Sequence, residues 1–141
     1  MKQELVSDWM TREVITIAPE MSLTEAHEIM KDRRIRRLPV VAEGRVVGIV
    51  TLGDLRAAEP SMASSLSVWE MNDLLANLKV AEIMTRDPAT ILQTASVGEA
   101  AKVMLEKKFS GLPVVHQENQ LVGIITESDI FRLVVNEWSK T

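Results

Sequence analysis

With 141 residues, 46% of them hydrophobic, the chain offers about one ordinary domain's worth of sequence and enough apolar side chains for a proper core. It has no cysteine and two histidines, His27 and His116, far apart and without a ligand-spaced partner, which excludes a disulfide framework and argues against a protein-built zinc site. A net charge of -4 with no broad basic stripe argues against general nucleic-acid binding, and no apolar run approaches the roughly 20 residues that cross a bilayer.

The chain opens on Met1-Lys2-Gln3-Glu4, which lacks the basic-then-apolar layout of a secretion signal, so a cytoplasmic protein is the expectation. Met10-Thr11-Arg12 comes next, then Thr16-Ile17 in a short extended stretch. Ser22-Leu23-Thr24-Glu25 fits a capping box and predicts a helix whose apolar face is Leu23, Ala26, Ile29 and Met30. The run Arg33-Arg34-Ile35-Arg36-Arg37 spans the end of that helix, where cations suit the dipole, and the start of a strand. Leu38-Pro39-Val40-Val41 and Val46 to Val50, split by Glu43-Gly44-Arg45, predict a hairpin. Thr51 then opens a second helix.

A loop is predicted at Glu59 to Ser65, followed by a connector helix over Leu66 to Lys79 with Val68, Met71, Leu74, Leu75 and Leu78 on one stripe. From there the pattern starts again. Met84-Thr85-Arg86 repeats Met10-Thr11-Arg12 after 74 residues, and Thr90-Ile91 repeats the extended stretch. Ser96 to Glu99 caps a helix with Val97, Ala100, Val103 and Met104 on its face. Leu112-Pro113-Val114-Val115 and Leu121 to Ile125 form the second hairpin around Gln117 to Gln120, and Gly123-Ile124-Ile125-Thr126 repeats Gly48-Ile49-Val50-Thr51 at 75 residues. A tail helix is predicted from Asp129 to Trp138, with Ile130, Phe131, Val134 and Trp138 apolar. Each copy therefore reads strand, helix, strand, strand, helix. A helix pair on one face of a small sheet leaves the other face in need of a partner, which the second copy supplies.

Two constellations carry candidate chemistry. Thr51 and Asp54, and again Thr126 and Asp129, form Thr-x-x-Asp at a helix start. Threonine followed three residues on by an acid is close to a capping box, and a carboxylate that caps still has acceptor positions for a ligand hydroxyl, so both roles can coexist. Arg36 and Arg37 offer forked donors suited to phosphate, whereas the second copy has Ser110 and Gly111 in their place. The two copies should therefore differ in ligand preference, the arginine-bearing side tolerating more phosphate. Ser128, where the first copy has Gly53, adds a hydroxyl. His27 reads as a packed helix residue, His116 as a solvated strand end, and Trp9, Trp69 and Trp138 as core or dimer-interface side chains.

The motifs quoted, methionine-threonine start, Leu-Pro-Val-Val and Gly-Ile-x-Thr-x-x-Asp, occur twice in order and resemble the CBS-domain family in its tandem, or Bateman, arrangement. The connector is similar to that of stand-alone bacterial proteins related to acetoin-utilisation regulators. The resemblance implies an α+β fold of two β-α-β-β-α motifs packed with pseudo-twofold symmetry through their sheets, leaving a cleft on each side. The expected boundaries are 1–57 for the first motif, 58–79 for the connector and 80–141 for the second motif with its terminal helix. It further implies binding of AMP, ADP, ATP or S-adenosylmethionine, with ribose at Asp54 or Asp129, phosphate facing Arg36 and Arg37, and adenine against backbone at Thr16 to Ala18 and Thr90 to Leu92. Such modules commonly form homodimers and regulate an enzyme or transporter, here in trans.

The expectation is a regulatory ligand sensor with no required cofactor. The competing reading is an interaction or dimerisation scaffold with vestigial clefts. No glycine-rich phosphate loop, catalytic triad signature or metal-ligand cluster is visible, so no catalysis is expected.

Overall fold

The computed structural model describes residues 4–59 and 67–140. The residues expected to form the loop before the connector helix lie, from Pro60 on, outside the described residues, as do Met1 to Gln3 and Leu66. In chain order the elements are α1 (Val6–Trp9), α2 (Leu23–Arg33), β1 (Arg37–Ala42), β2 (Arg45–Thr51), α3 (Leu52–Ala58), α4 (Val68–Asn77), α5 (Val80–Ile83), β3 (Thr85–Arg86), β4 (Ile91–Leu92), α6 (Val97–Lys107), β5 (Gly111–Val115), β6 (Leu121–Thr126) and α7 (Glu127–Trp138). The fold is mixed α+β with two small sheets, as the repeat pattern predicts.

The chain divides into two compact units whose membership crosses the repeats. One is Ile15–Pro88; the other combines Met1–Val14 with Ala89–Thr141. Each repeat's leading segment is thus built into the unit of the other repeat. In the Ile15–Pro88 unit the sheet order is β1-β2-β3, with Ile17 bridged in parallel to Val40 on the outer side of β1. In the other unit the order is β4-β5-β6, and Thr11 bridges Ile124 on the outer side of β6. The two Met-Thr-Arg segments therefore serve as edge strands, a role the repeat pattern does not reveal.

The glycine of each Gly-Ile-x-Thr motif is explained by this edge pairing. A Cβ on Gly48 would stand 2.5 Å from Met84 Sδ and 3.0 Å from the Thr85 carbonyl; one on Gly123 would stand 2.7 Å from Met10 Sδ and 2.9 Å from the Thr11 carbonyl. Only a residue without a side chain lets the edge segment approach that closely. The prolines Pro39 and Pro113 fit inside β1 and β5 because parallel pairing begins only at Ile17 and Ile91, so no partner carbonyl waits for the missing amide.

Both main helices start at their expected serines. Ser22 Oγ accepts the Glu25 amide at 3.2 Å and Ser96 Oγ accepts the Glu99 amide at 3.1 Å. The reciprocal half of the expected capping box is not made at either end. Instead the chain there pairs with a neighbouring segment, Leu23 N–H donating to the Leu78 carbonyl and Val97 N–H to that of Glu4. Helices α2 and α6 close on Arg34 and Lys108, both left-handed at φ 56° and 60°, with the next amides, of Ile35 and Phe109, bonded back to Met30 and Met104.

Each unit has its own core. Ile17, Leu23, Ala26, Met30, Leu38, Val40, Val50, Leu55 and Val80 form one. Val6, Met10, Val97, Ala100, Met104, Leu112, Val114, Ile125 and Leu133 form the other. The connector helix forms within the expected range, as α4, but buries no residue fully: Val68 is 71% exposed, and the core is met through Leu75 and the following Leu78. Its apolar stripe is partly covered by α2: Met71, Leu75 and Leu78 are half-buried, while Val68 and Leu74 are exposed. The tryptophans also differ. Trp9 packs against the core and donates Nε1–H to Glu4 at 3.2 Å, whereas Trp69 and Trp138 are 83% and 74% exposed, so neither is a core residue.

Candidate functional site

The first candidate site is assembled by strand register. Antiparallel pairing of β1 with β2 sets Arg37 opposite Thr51, so the strand that begins in the arginine run lies beside the strand that ends at the helix start. The Leu52 amide then donates to the Arg36 carbonyl at 2.8 Å, holding the first turn of α3 against that arginine. Thr51 and Asp54 complete a reciprocal box: the Asp54 amide donates to Thr51 Oγ1 at 3.1 Å, and the Thr51 amide to Asp54 Oδ2 at 2.9 Å. Both residues remain half-buried.

Around this turn lies a depression of about 340 Å³ lined by Arg36, Arg37, Thr51, Leu52, Gly53 and Arg56. Three guanidinium-bearing residues on one small concavity are an anion-recognition arrangement, because each planar fork can present paired N–H donors to phosphate oxygens. Arg56 was not legible as a site residue by motif. Its signal is helical spacing: it stands four residues after Leu52 and so shares that face of α3.

The second repeat has the same frame with different side chains. Gly111 lies opposite Thr126, and the Glu127 amide donates to the Ser110 carbonyl at 3.1 Å. The positions matching Leu52, Gly53 and Arg56 are Glu127, Ser128 and Phe131, so the cationic set is replaced by hydroxyls, an acid and an aromatic ring that is 63% exposed. Asp129 is buried. Its Oδ2 accepts the Thr126 amide at 2.8 Å and the Thr126 hydroxyl at 3.2 Å, while Oδ1 accepts Thr11 Oγ1 at 3.3 Å and pairs with Arg132 Nη2. Thr11, so distant in sequence, left no local clue to this contact.

Of the expected adenine-facing segments, the first alternates as a strand does: Ile17 is buried while Thr16 and Ala18 on either side are exposed. Thr90 is half-buried and Leu92 exposed on either side of half-buried Ile91. None of these residues lines the arginine-bearing depression. His27, expected to be packed, is exposed on α2 at the rim of a separate hollow of about 140 Å³ with Leu23, Thr24, Leu55, Glu59, Asn72 and Leu75. Asn72 and Leu75 of α4 form the opposite wall of that hollow. Among the described residues no three acidic or histidine side chains are grouped to hold a metal ion, and no helix is long and apolar enough to cross a membrane.

Capped helix, hairpin and Thr-x-x-Asp helix start occur twice, which defines a tandem-repeat protein of two α+β motifs. The CBS domain family model matches residues 6–61 and 80–136, and the chain belongs to that family. It is 37% identical over 120 residues to the inosine-5'-monophosphate dehydrogenase of Korarchaeum cryptofilum, covering 85% of this chain but 22% of the enzyme. A CBS domain-containing protein of Dictyostelium discoideum is 35% identical over 132 residues, 93% of this chain and 91% of that one. The chain also spans 47% of an archaeal relative from Methanocaldococcus jannaschii, so several curated relatives are considerably longer.

Among solved structures, the CBS domain pair of MJ0100 in complex with 5'-methylthioadenosine and S-adenosyl-L-methionine superposes with a TM-score of 0.77 at 33% identity, covering 96% of this chain and 99% of that one. CBSX2 in complex with AMP, a protein of Arabidopsis thaliana, gives 0.80 at 27% identity, covering 94% and 97%. A Vibrio cholerae protein described as AcuB, for acetoin utilization, gives 0.79 at 31% identity, covering 98% and 95%.

Proposed function

We propose that the chain is a regulatory module that senses an adenosine-bearing nucleotide and performs no chemistry on it. The observation that carries this reading is the depression where Arg36, Arg37 and Arg56 meet Thr51 and Gly53, next to the Asp54 carboxylate. A ribose on Asp54 would place a 5'-phosphate within the reach of these arginines. The likeness to CBS pairs solved with AMP, and with S-adenosyl-L-methionine, supports the adenosyl part of the reading.

The module would act in the cytoplasm, as a homodimer, on an enzyme or transporter in trans. Ligand binding can change such a partner only if it favours one arrangement of the module over another. The kinship with a dehydrogenase that carries the same domain pair supports a regulatory role for the pair, with catalysis left to the attached or separate enzyme.

A thermal-shift panel of AMP, ADP, ATP, S-adenosylmethionine, NADH and GTP tests the reading. A true ligand at a hundred times its dissociation constant stabilises the fold by about 2.7 kcal/mol. Arg56→Ala should lower the ATP shift while leaving that of S-adenosylmethionine, which has no phosphate, unchanged. A flat panel would undo the proposal.

A second reading, an interaction scaffold, draws on a different observation. Phe131, Val135 and Trp138 are exposed at i, i+4 and i+7 on α7, one continuous apolar stripe. Sedimentation of a Val135→Asp variant, set beside the nucleotide panel, distinguishes the two readings: a scaffold loses its assembly and gives no shift with any nucleotide, whereas a sensor gives the shift.

A further inference from the structure

The two aspartates of the repeated Thr-x-x-Asp motif are in different chemical states of engagement. A carboxylate offers about four acceptor positions. At Asp129, which is 1% exposed, four donors take them: the Thr126 amide and hydroxyl on one oxygen, the Thr11 hydroxyl and the Arg132 guanidinium on the other. Among the described residues the Asp54 carboxylate accepts the Thr51 amide alone. The position matching Arg132 in the first repeat is Ala57, which has nothing to reach with, and Thr85, which matches Thr11, makes no hydrogen bond to Asp54.

A ribose diol needs two acceptor positions on one carboxylate. Asp54 can supply them. Asp129 can do so only if Arg132 lets go, which leaves a buried anion short of a charge-assisted partner. Arg132 is itself 61% exposed, so it can swing out without unpacking the core. It behaves as a movable closure on a fixed anion. The second repeat offers no matching arginine cluster among the described residues, since Ser110, Gly111 and Phe131 stand where the first repeat has Arg36, Arg37 and Arg56.

We propose that Arg132 is a latch that determines ligand placement: it keeps Asp129 closed to ribose, so the chain takes its nucleotide at the first repeat alone. This rests on the nucleotide-sensing reading above and adds to it a stoichiometry of one ligand per chain.

Calorimetric titration of AMP and of ATP into the full chain tests it. One nucleotide per chain is expected, lost in Asp54→Asn and kept in Asp129→Asn. Arg132→Ala and Arg132→Gln, their folding checked by circular dichroism, should raise the count toward two. Two nucleotides per chain in the unaltered protein, or one that depends on Asp129 and not on Asp54, overturns the latch but leaves the sensor reading standing. A count that stays at one in both folded Arg132 variants overturns it as well. Should Asp129→Asn fail to fold, the count in the unaltered protein and in Asp54→Asn decides. Absence of binding for both nucleotides removes the sensor reading and the latch together.

Discussion

Two glycines show how single positions couple the repeated motifs. Gly48 and Gly123 are what let Met84 and Met10 lie across the second strand of each hairpin, and the closest backbone atom is nearer at Gly123, 2.9 Å from the place a Cβ would take. A methionine thioether can bend away; a carbonyl fixed in a β-bridge cannot. Gly123→Ala is therefore expected to destabilise the fold by about 1–3 kcal/mol through overpacking. Urea denaturation followed by circular dichroism reads this as a lowered midpoint, and an unchanged midpoint would show that the edge segment yields freely. The same scale holds the functional contrast: Arg56 against Phe131, and Ala57 against Arg132, are single exchanges that give the two repeats different surfaces.

At the scale of the helix, the sequence signals for starting were clearer than those for stopping. Ser22 and Ser96 cap as their motif predicts, through one bond rather than two, and the next amide at each helix start, of Leu23 and Val97, donates to a carbonyl from a distant segment. The ends are less economical. Arg34 and Lys108 sit in the left-handed region, where an L-residue costs roughly 1–2 kcal/mol and glycine costs little. Lys108→Gly should therefore stabilise the protein, by roughly 0.5–1 kcal/mol after the greater entropy of the unfolded glycine is offset. A melting temperature that falls instead would mean the lysine side chain contributes more than the strain removes. The connector helix is a different case. Its apolar stripe was legible, but its packing was not, because periodicity reports a face without saying whether anything covers it.

The exchange of leading segments is a property of the whole molecule. Val6 and Met10 belong to the core that contains Leu112, Ile125 and Leu133, and Thr11 bridges Ile124, so the segment from Val6 to Thr11 helps hold the second repeat's unit together. Removing residues 1–13 should cost protection from hydrogen exchange first at β6 and α6, while β1 and β2 keep theirs. Loss confined to β1 and β2 would contradict the division into units. Sequence by itself determined the family, the repeat, and the order of the main helices and hairpins within each copy. These are carried by local propensity and by self-similarity, both of which survive in one dimension. Only the tertiary structure decided that Met-Thr-Arg is an edge strand, that Arg56 joins the arginine-bearing depression, and that Asp129 is closed by Thr11 and Arg132. Those outcomes depend on which segments meet across the chain, and on how many donors converge on one buried oxygen pair, which no periodicity along the sequence encodes.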